Sequence, residues 1–278
     1  MIRALVNGDP NGCIPLDDRG VLYGDGLFET IRIVHGQPDN WDGHMRRLRR
    51  GCTQLRLPTP PVALLRQEID HLASGQHCAI ARVQLTLAGG ERGYKRPAAG
   101  RFNRILTLHE LLPLPARCYE TGVTVRWCHF QLADHSGLSG IKHLNRLEQV
   151  MARAEWDDVE IFDGLLTDQR GRVIGGTMSN LFLIQKGELL TPDVFHAGVA
   201  GTMRERVFRA ARELGLHATE TPVTPEMCQQ ADGLFLSNAV RGIVPVSRLE
   251  QQSFDRHDLT AQVMENLQEP PSAIVCRT

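Results

Sequence analysis

Two features of this chain could do chemistry: a lysine, Lys142, and a glycine-lined helix start around residue 201. Lys142 follows Leu138-Ser139-Gly140-Ile141 and is read as opening a helix that runs to Trp156. An amine at an element boundary among apolar residues can be desolvated, lose its proton and act as a nucleophile. The alternative is an ordinary surface lysine. The second feature is Gly198-Val199-Ala200-Gly201-Thr202-Met203-Arg204-Glu205. Thr202 and Glu205 stand at capping-box spacing before Val207, Ala210, Ala211 and Leu214, and Gly215 is placed to stop the helix. The N–H groups and positive dipole end of such a start suit a phosphate, unless the box simply caps a helix.

Other chemistries find no support. The chain has no P-loop, no G-x-S-x-G elbow, no H-E-x-x-H and no dinucleotide fingerprint. Its eleven histidines show no ligand spacing with acids, so no metal site is expected, and His143 reads as a packing residue. Seven cysteines without a C-x-x-C pair read as reduced, mostly buried thiols. With 31 basic against 32 acidic residues and only 5% aromatics, neither a polyanion binder nor a base-stacking surface is expected. No apolar run is long enough for a membrane span or a signal peptide, so a cytoplasmic location is expected.

The elements that must position these residues follow from periodicity. Ile2–Val6 and Leu27–Val34 read as strands, with Asn7-Gly8 as a hairpin turn. Met45, Leu48, Cys52 and Leu55 mark a helix that also carries Arg46, Arg47, Arg49 and Arg50. A second helix covers Leu64–Leu72. Ile80–Leu87 and Arg104–His109 are strands flanking a glycine-rich loop. Past the prolines at 113 and 115, Gly122–Phe130 is a strand, and Leu144, Leu147, Val150, Met151 and Ala154 are expected to face inward from the Lys142 helix. Strands near Val159–Phe162, Leu181–Gln185 and Gly233–Ser237 alternate with helices at Met203–Leu214 and Leu259–Leu267. The pattern predicts a mixed α/β (α+β) protein: an N-terminal α+β domain over 1–113, a linker over 114–120 and a C-terminal α/β domain over 121–278.

At these residues the chain resembles the class-IV aminotransferase family, the fold-type-IV enzymes that use pyridoxal 5'-phosphate. The match runs from Asp17 to Pro245 in the family's motif order. Asp18-Arg19-Gly20 with Tyr23-Gly24-Asp25-Gly26-Leu27-Phe28-Glu29-Thr30 resembles the N-terminal signature. His44-Met45-Arg46-Arg47-Leu48 is similar to the H-x-x-R-L element, and Gly140-Ile141-Lys142-His143-Leu144-Asn145-Arg146-Leu147-Glu148 to the Schiff-base lysine segment. Ser179-Asn180-Leu181-Phe182 and Gly201-Thr202-Met203-Arg204 match two further blocks.

The resemblance implies a small N-terminal domain, a larger pyridoxal-phosphate-binding pseudo-barrel domain and a homodimer whose site is built between domains. It makes Lys142 the catalytic lysine and assigns cofactor binding to Arg47, Lys142, Gly201, Thr202, Met203 and Ala239. Three segments resemble the lyase branch, which converts 4-amino-4-deoxychorismate to 4-aminobenzoate and pyruvate on the way to folate: the K-H-L-N-R-L-E-Q-V continuation, Gly89-Gly90-Glu91-Arg92-Gly93-Tyr94, and Ser237-Asn238-Ala239. Its dicarboxylate substrate would meet Arg92, Tyr94, Asn238 and Arg241. The alternatives are a D- or branched-chain-amino-acid aminotransferase, or a pyridoxal-phosphate-binding protein with impaired catalysis. The last arises because Gly175 stands five residues before Asn180, where the family places the glutamate that holds the pyridine nitrogen protonated. A distant acid such as Glu160 could replace it. The partners expected are a small-molecule substrate and a second copy of the chain, with no nucleic acid and no membrane.

Overall fold

The computed structural model describes residues 1–89, 93–97, 100–134, 137–271 and 274–276. They form two compact units. One comprises Met1–Leu112 with Ile141–Asn145, and the other Pro113–Gly140 with the chain from Arg146 onward. The mixed α/β class expected from the sequence is the class observed.

In the first unit the elements run β1 (Arg3–Val6), α1 (Arg19–Tyr23), β2 (Gly26–Val34), β3 (Gln37–Pro38), α2 (Trp41–Leu55), α3 (Val62–Ala73), β4 (Cys78–Ala88) and β5 (Arg101–His109). The strands make an antiparallel sheet in the order β1-β5-β4-β2-β3. Asn7 and Gly8, with φ of 57° and 89°, turn the chain after β1, but β1 pairs with β5 rather than with β2. Alternation decides which face is buried. Leu27, Ile31 and Ile33 of β2 and Ala81, Val83 and Leu85 of β4 pack with Met45, Leu48 and Cys52 of α2 and Leu65, Ile69 and Leu72 of α3. Each such side chain contributes about 1.5–3 kcal/mol when fully buried.

The second unit continues with β6 (Leu114–Pro115), α4 (Ala116–Glu120), β7 (Val123–Leu132), α5 (Leu147–Arg153), β8 (Ile161–Asp168), β9 (Val173–Gly176), β10 (Asn180–Gln185) and β11 (Glu188–Pro192). It ends with α6 (Thr202–Glu213), β12 (Ala218–Thr221), α7 (Pro225–Gln229), β13 (Gly233–Asn238), β14 (Gly242–Leu249), β15 (Gln252–Ser253), α8 (Asp258–Asn266) and β16 (Val275–Cys276). Its main sheet runs β12-β11-β10-β13-β14-β7-β8-β9, with β15 against β14. At its centre the rings of Phe182 and Phe235 stack with centroids 4.9 Å apart, both fully buried.

Several expectations need correction. The stretch 114–120 carries a short strand and a helix, because β6 pairs with β16 and Ala116 starts a turn of helix directly after Pro115. The helix expected from Lys142 begins only at Leu147. Leu147, Val150 and Met151 are 70%, 59% and 51% exposed rather than inward, and Ala152 is the buried residue of that helix. The thiols of Cys52, Cys128 and Cys228 are buried, which pushes them up to about 11, 12 and 12 and leaves them inert. Cys13 is exposed. Among the described residues no helix is long and apolar enough to cross a membrane.

Gly26 sets how closely β2 approaches β4. A Cβ there would lie 2.1 Å from the Leu85 carbonyl oxygen and 2.7 Å from Leu144 Cδ1. Gly26→Ala should therefore destabilise the fold by about 1–3 kcal/mol, the range for forced overpacking. Urea unfolding reads this directly, and an unchanged midpoint would show that the strand can shift without cost.

Candidate functional site

The backbone of residues 24–28 is paired along both edges. On one side Asp25 O accepts from Leu87 N at 3.0 Å, and the β2–β4 register continues through Gly26 and Thr86. On the other, Phe28 N donates to Lys142 O at 2.9 Å, Leu144 N to Gly26 O at 3.0 Å and Asn145 Nδ2 to Gly24 O at 3.1 Å. This pairing keeps Lys142 out of a helix: Lys142 O and Leu144 N are spent on β2, forming a single antiparallel bridge with His143 opposite Leu27. The half-buried Lys142 side chain then projects over Phe28, with Nζ 4.3 Å from the ring centroid. The guanidinium of Arg82, from β4, also faces that ring at 4.4 Å. Arg82 Nε is buried without a hydrogen-bond partner, and burial pulls its pKa down. An aromatic ring thus brings together an amine and a partly desolvated cation that meets no carboxylate among the described residues.

Behind that ring, on the core side of β2, lies a charged cluster. Glu29 is 1% exposed; its Oε1 accepts from Arg47 Nε at 2.9 Å, and its Oε2 accepts from Arg47 Nη2 and lies 2.6 Å from His44 Nδ1. Burial alone would raise the Glu29 carboxyl, but the Arg47 charge and the hydrogen bonds from Arg47 and His44 outweigh it and hold the pKa at about 2. Burial depresses His44, so its neutral ring donates from Nδ1 to the carboxylate. Arg47, expected on a cofactor phosphate, is first of all the counter-ion of Glu29.

In the second unit the α6 start differs from a capping box. Gly201 is the N-cap, no side chain caps the helix, and the Thr202 hydroxyl has no hydrogen-bond partner although Thr202 is 2% exposed. Glycine is required at 201 because a Cβ would meet Asn180 Oδ1 at 2.1 Å. Asn180 in turn donates from Nδ2 to Val199 O at 2.9 Å, and Gly140 exchanges backbone hydrogen bonds with Gly198 and Ala200. Beside Asn180 in the sheet, Ser237 is 1% exposed and its hydroxyl is also without a partner. Two buried orphan hydroxyls and a helix start with uncapped N–H groups fit an anion such as a phosphate ester. Met203 is buried and Ala239 half-buried.

The remaining expected site residues are placed as follows. Asn238 Oδ1 accepts from Val240 N at 2.9 Å and Arg241 N at 2.7 Å, so its carboxamide shapes the turn between β13 and β14. The half-buried Arg241 gives its carbonyl to the Tyr119 hydroxyl at 3.1 Å. Tyr94 is 86% exposed, its ring against Tyr23, and Arg92 lies outside the described residues. Gly175 has φ of 150°, and a Cβ there would stand 2.8 Å from Ser179 O, so a side chain requires the turn to be rebuilt. Glu160 is exposed, which does not suit a buried anchor. The buried carboxylate nearby is Asp163, which accepts from Thr177 N, Thr177 Oγ1, Ser179 Oγ and Gly164 N and so ties down the turn before Asn180. Burial raises its pKa.

Arg82, Glu29 and Ser237 were not singled out from the sequence as site residues. The signal for Arg82 was present: it interrupts Ala79, Ala81, Val83 and Leu85 on the opposite parity of a strand, where a cation must face something other than the core.

Residues 26–249 match the amino-transferase class IV family. An aminodeoxychorismate lyase of Vibrio harveyi is 32% identical over 245 residues, covering 87% of this chain and 89% of that protein. A crystal structure of 4-amino-4-deoxychorismate lyase from Pseudomonas aeruginosa superposes with a TM-score of 0.92 at 37% identity, covering 96% of this chain and 99% of that one. A D-alanine aminotransferase of Bacillus licheniformis is 24% identical over 264 residues, covering 91% and 90% of the two chains.

The Glu29 cluster predicts a pH dependence. A carboxyl depressed from 4.5 to about 2 stabilises the fold above its ordinary range and loses that contribution as pH falls through 4.5 toward 2. The shift corresponds to about 3 kcal/mol. Glu29→Gln should cost roughly 3–5 kcal/mol at neutral pH, since it leaves Arg47 buried without its counter-ion. It should also flatten the stability profile between pH 4.5 and 2. Thermal unfolding of both forms across that range is the measurement, and parallel profiles would show that Glu29 is not the group responsible.

Proposed function

The chain belongs to the amino-transferase class IV family, and we propose that within it the protein is a pyridoxal-phosphate-dependent lyase that converts 4-amino-4-deoxychorismate to 4-aminobenzoate and pyruvate. The observation that carries this reading is the pairing of Lys142 with Arg82 on the Phe28 ring. A base and a carboxylate-binding cation on one ring suit a substrate that must be gripped by a carboxylate while losing a proton from a neighbouring carbon.

Pyridoxal phosphate, when bound, supplies an electron sink for the charge that develops on the substrate. Lys142 is the residue that would bond it. Arg47, Gly201, Thr202, Met203 and Ala239 are proposed to hold it, and the orphan Thr202 hydroxyl and the uncapped N–H groups of α6 support a phosphate role for that helix start. The Lys142 amine takes the proton from C4 of the substrate. The C3–O bond breaks, the ring becomes aromatic, and the departing enolpyruvate takes up a proton to become pyruvate. The Phe28 face stabilises the ammonium that Lys142 becomes. Arg82 is proposed to hold a substrate carboxylate, with Arg92, Tyr94, Asn238 and Arg241 as the further contacts the resemblance assigns.

A D- or branched-chain-amino-acid aminotransferase is the second reading, supported by the D-alanine aminotransferase similarity. Position 175 weighs against it. Gly175 offers no carboxylate where the resemblance expects one, and aromatisation gives the lyase a driving force that amino-group exchange lacks. The exposed Leu147, Val150 and Met151 face of α5 supports pairing of two copies into a homodimer. A cytoplasmic location is proposed with it, in keeping with cysteines that form no C-x-x-C pair and are buried at 52, 128 and 228.

The test is formation of 4-aminobenzoate with added pyridoxal phosphate, run beside D-alanine and branched-chain amino acids with 2-oxoglutarate. The lyase product is expected from the parent protein, and Lys142→Ala should lower turnover by roughly 10²–10⁴-fold. Thr202→Val should weaken cofactor affinity by about 1.5–3 kcal/mol, the scale of a hydrogen bond to a charged group. Turnover of amino acids alone would favour the aminotransferase. A bound cofactor with no turnover would mean that catalysis is impaired.

A further inference from the structure

Arg19 is 4% exposed although it lies in a helix of only five residues, and its guanidinium makes four hydrogen bonds. Nη1 donates to Gly93 O at 3.1 Å and Lys95 O at 3.3 Å, Nη2 to Tyr94 O at 3.0 Å, and Nε to Asp25 Oδ2 at 3.0 Å. Three successive carbonyls of one loop thus converge on a single side chain. From the other end of that loop, Arg96 Nε donates to the same Asp25 Oδ2 at 2.9 Å and Arg96 Nη1 to Leu55 O. Asp25 ties both arginines to the 24–28 segment that pairs with Lys142.

The neighbours of Arg19 fix its position. Asp18 is fully buried, caps the helix through Val21 N, and accepts from Thr86 Oγ1 at 2.6 Å and Asn103 Nδ2 at 2.7 Å. Gly20 permits close approach, since a Cβ would lie 2.2 Å from Thr86 Cγ2. The Tyr23 ring sits 4.8 Å from the Arg19 guanidinium and 5.5 Å from the Tyr94 ring. Gly93, Tyr94 and Lys95 are themselves exposed and belong to no helix or strand, so burial cannot set their conformation. The carbonyl fork sets it.

We infer that Arg19 is a positioning residue: it pre-forms the 93–96 loop and thereby sets affinity for the carboxylated substrate, while the chemical step depends on Lys142. The inference rests on the reading of Tyr94 as a substrate contact. A loop ordered in advance does not lose its conformational entropy at the moment of binding, and that saving appears in affinity. Lysine cannot replace the fork, because one ammonium cannot meet three carbonyls and a carboxylate in a plane.

Arg19→Lys keeps the charge opposite Asp25 and removes the fork. Arg96→Met removes the second tie from a residue whose side chain is 35% exposed and is the control should Arg19→Lys fold poorly. Hydrogen exchange in residues 93–97, without substrate, should accelerate at least tenfold in Arg19→Lys and less in Arg96→Met. KM in the 4-aminobenzoate assay, and the Kd for chorismate as a stable dicarboxylate probe, should rise about tenfold, with kcat within about twofold. Unchanged exchange in both variants overturns the clamp. Faster exchange with unchanged KM and Kd overturns its role in affinity, as does a loss confined to kcat. Failure of the parent protein itself to bind chorismate defeats the substrate reading and this inference with it, a result distinguishable because the exchange data still report on the clamp.

Discussion

In the first unit, the placing of Lys142 beside Phe28 and Arg82 depends on a five-residue stretch of backbone, 24–28, being hydrogen-bonded along both edges. Interior strands normally have two partners, but here the second partner is an isolated segment, 142–145, recruited from far along the chain. Gly24 and Gly26 make this possible. A side chain at 24 would collide with Asn145, and one at 26 with the Leu85 carbonyl. Once that backbone is fixed, alternation distributes the side chains. Leu27 and Glu29 point toward α2, and Phe28 points to the opposite face, where Arg82 and Lys142 meet it. The amine is therefore placed by β-sheet geometry and not by a loop.

The cluster beneath it shows how charge is used in this unit. Glu29, Arg47 and His44 are buried together, and desolvation of such groups is repaid only when every lone pair and proton is met. Here the depressed Glu29 pKa shows attraction outweighing desolvation. The cluster also locks α2 against β2 at a defined register, since Arg47 and His44 lie one turn apart on the helix and grip one carboxylate. Arg47 is held in one orientation before any ligand arrives, which a lysine at that position could not match.

Much of this was legible in the sequence and some was not, for reasons that differ by residue. Strands β1, β2, β4, β5, β7, β10 and β13 and the helices α2, α3, α6 and α8 follow from periodicity because local pattern and tertiary environment agree, whereas β9, β11, β12 and β14 are not read from the sequence and β8 is placed too early. The Lys142 segment misleads because Leu144, Leu147, Val150 and Met151 fall at helical spacing, while long-range pairing with β2 claims the backbone of 142–145 first. Periodicity cannot see a competing strand edge. Thr202 misleads differently. Its spacing to Glu205 is that of a capping box, but Asn180 occupies the space beside residue 201, the glycine becomes the N-cap, and the buried threonine hydroxyl is left without a hydrogen-bond partner. The lost hydrogen bond is itself informative, since a buried hydroxyl without a partner costs about 1–3 kcal/mol.

The same reasoning separates structural from functional arginines. Arg19, Arg32, Arg47 and Arg104 each lie against a carboxylate inside the first unit, to Asp25, Asp39, Glu29 and Glu68. These pairs close their own accounts: desolvation is offset within the protein, and each cation stabilises a particular contact. Arg82 differs in kind. Its Nε is buried without a partner, its charge faces a ring instead of an acid, and burial lowers its pKa. A cation–π contact contributes about 0.5–2 kcal/mol, which falls short of what a desolvated guanidinium gains from a carboxylate. Retaining such a group costs stability, and costly polar groups of this kind concentrate where a ligand completes them. Arg82 is therefore a cation, among the described residues of the first unit, that a carboxylate from outside the chain would complete, and Lys142 shares its ring.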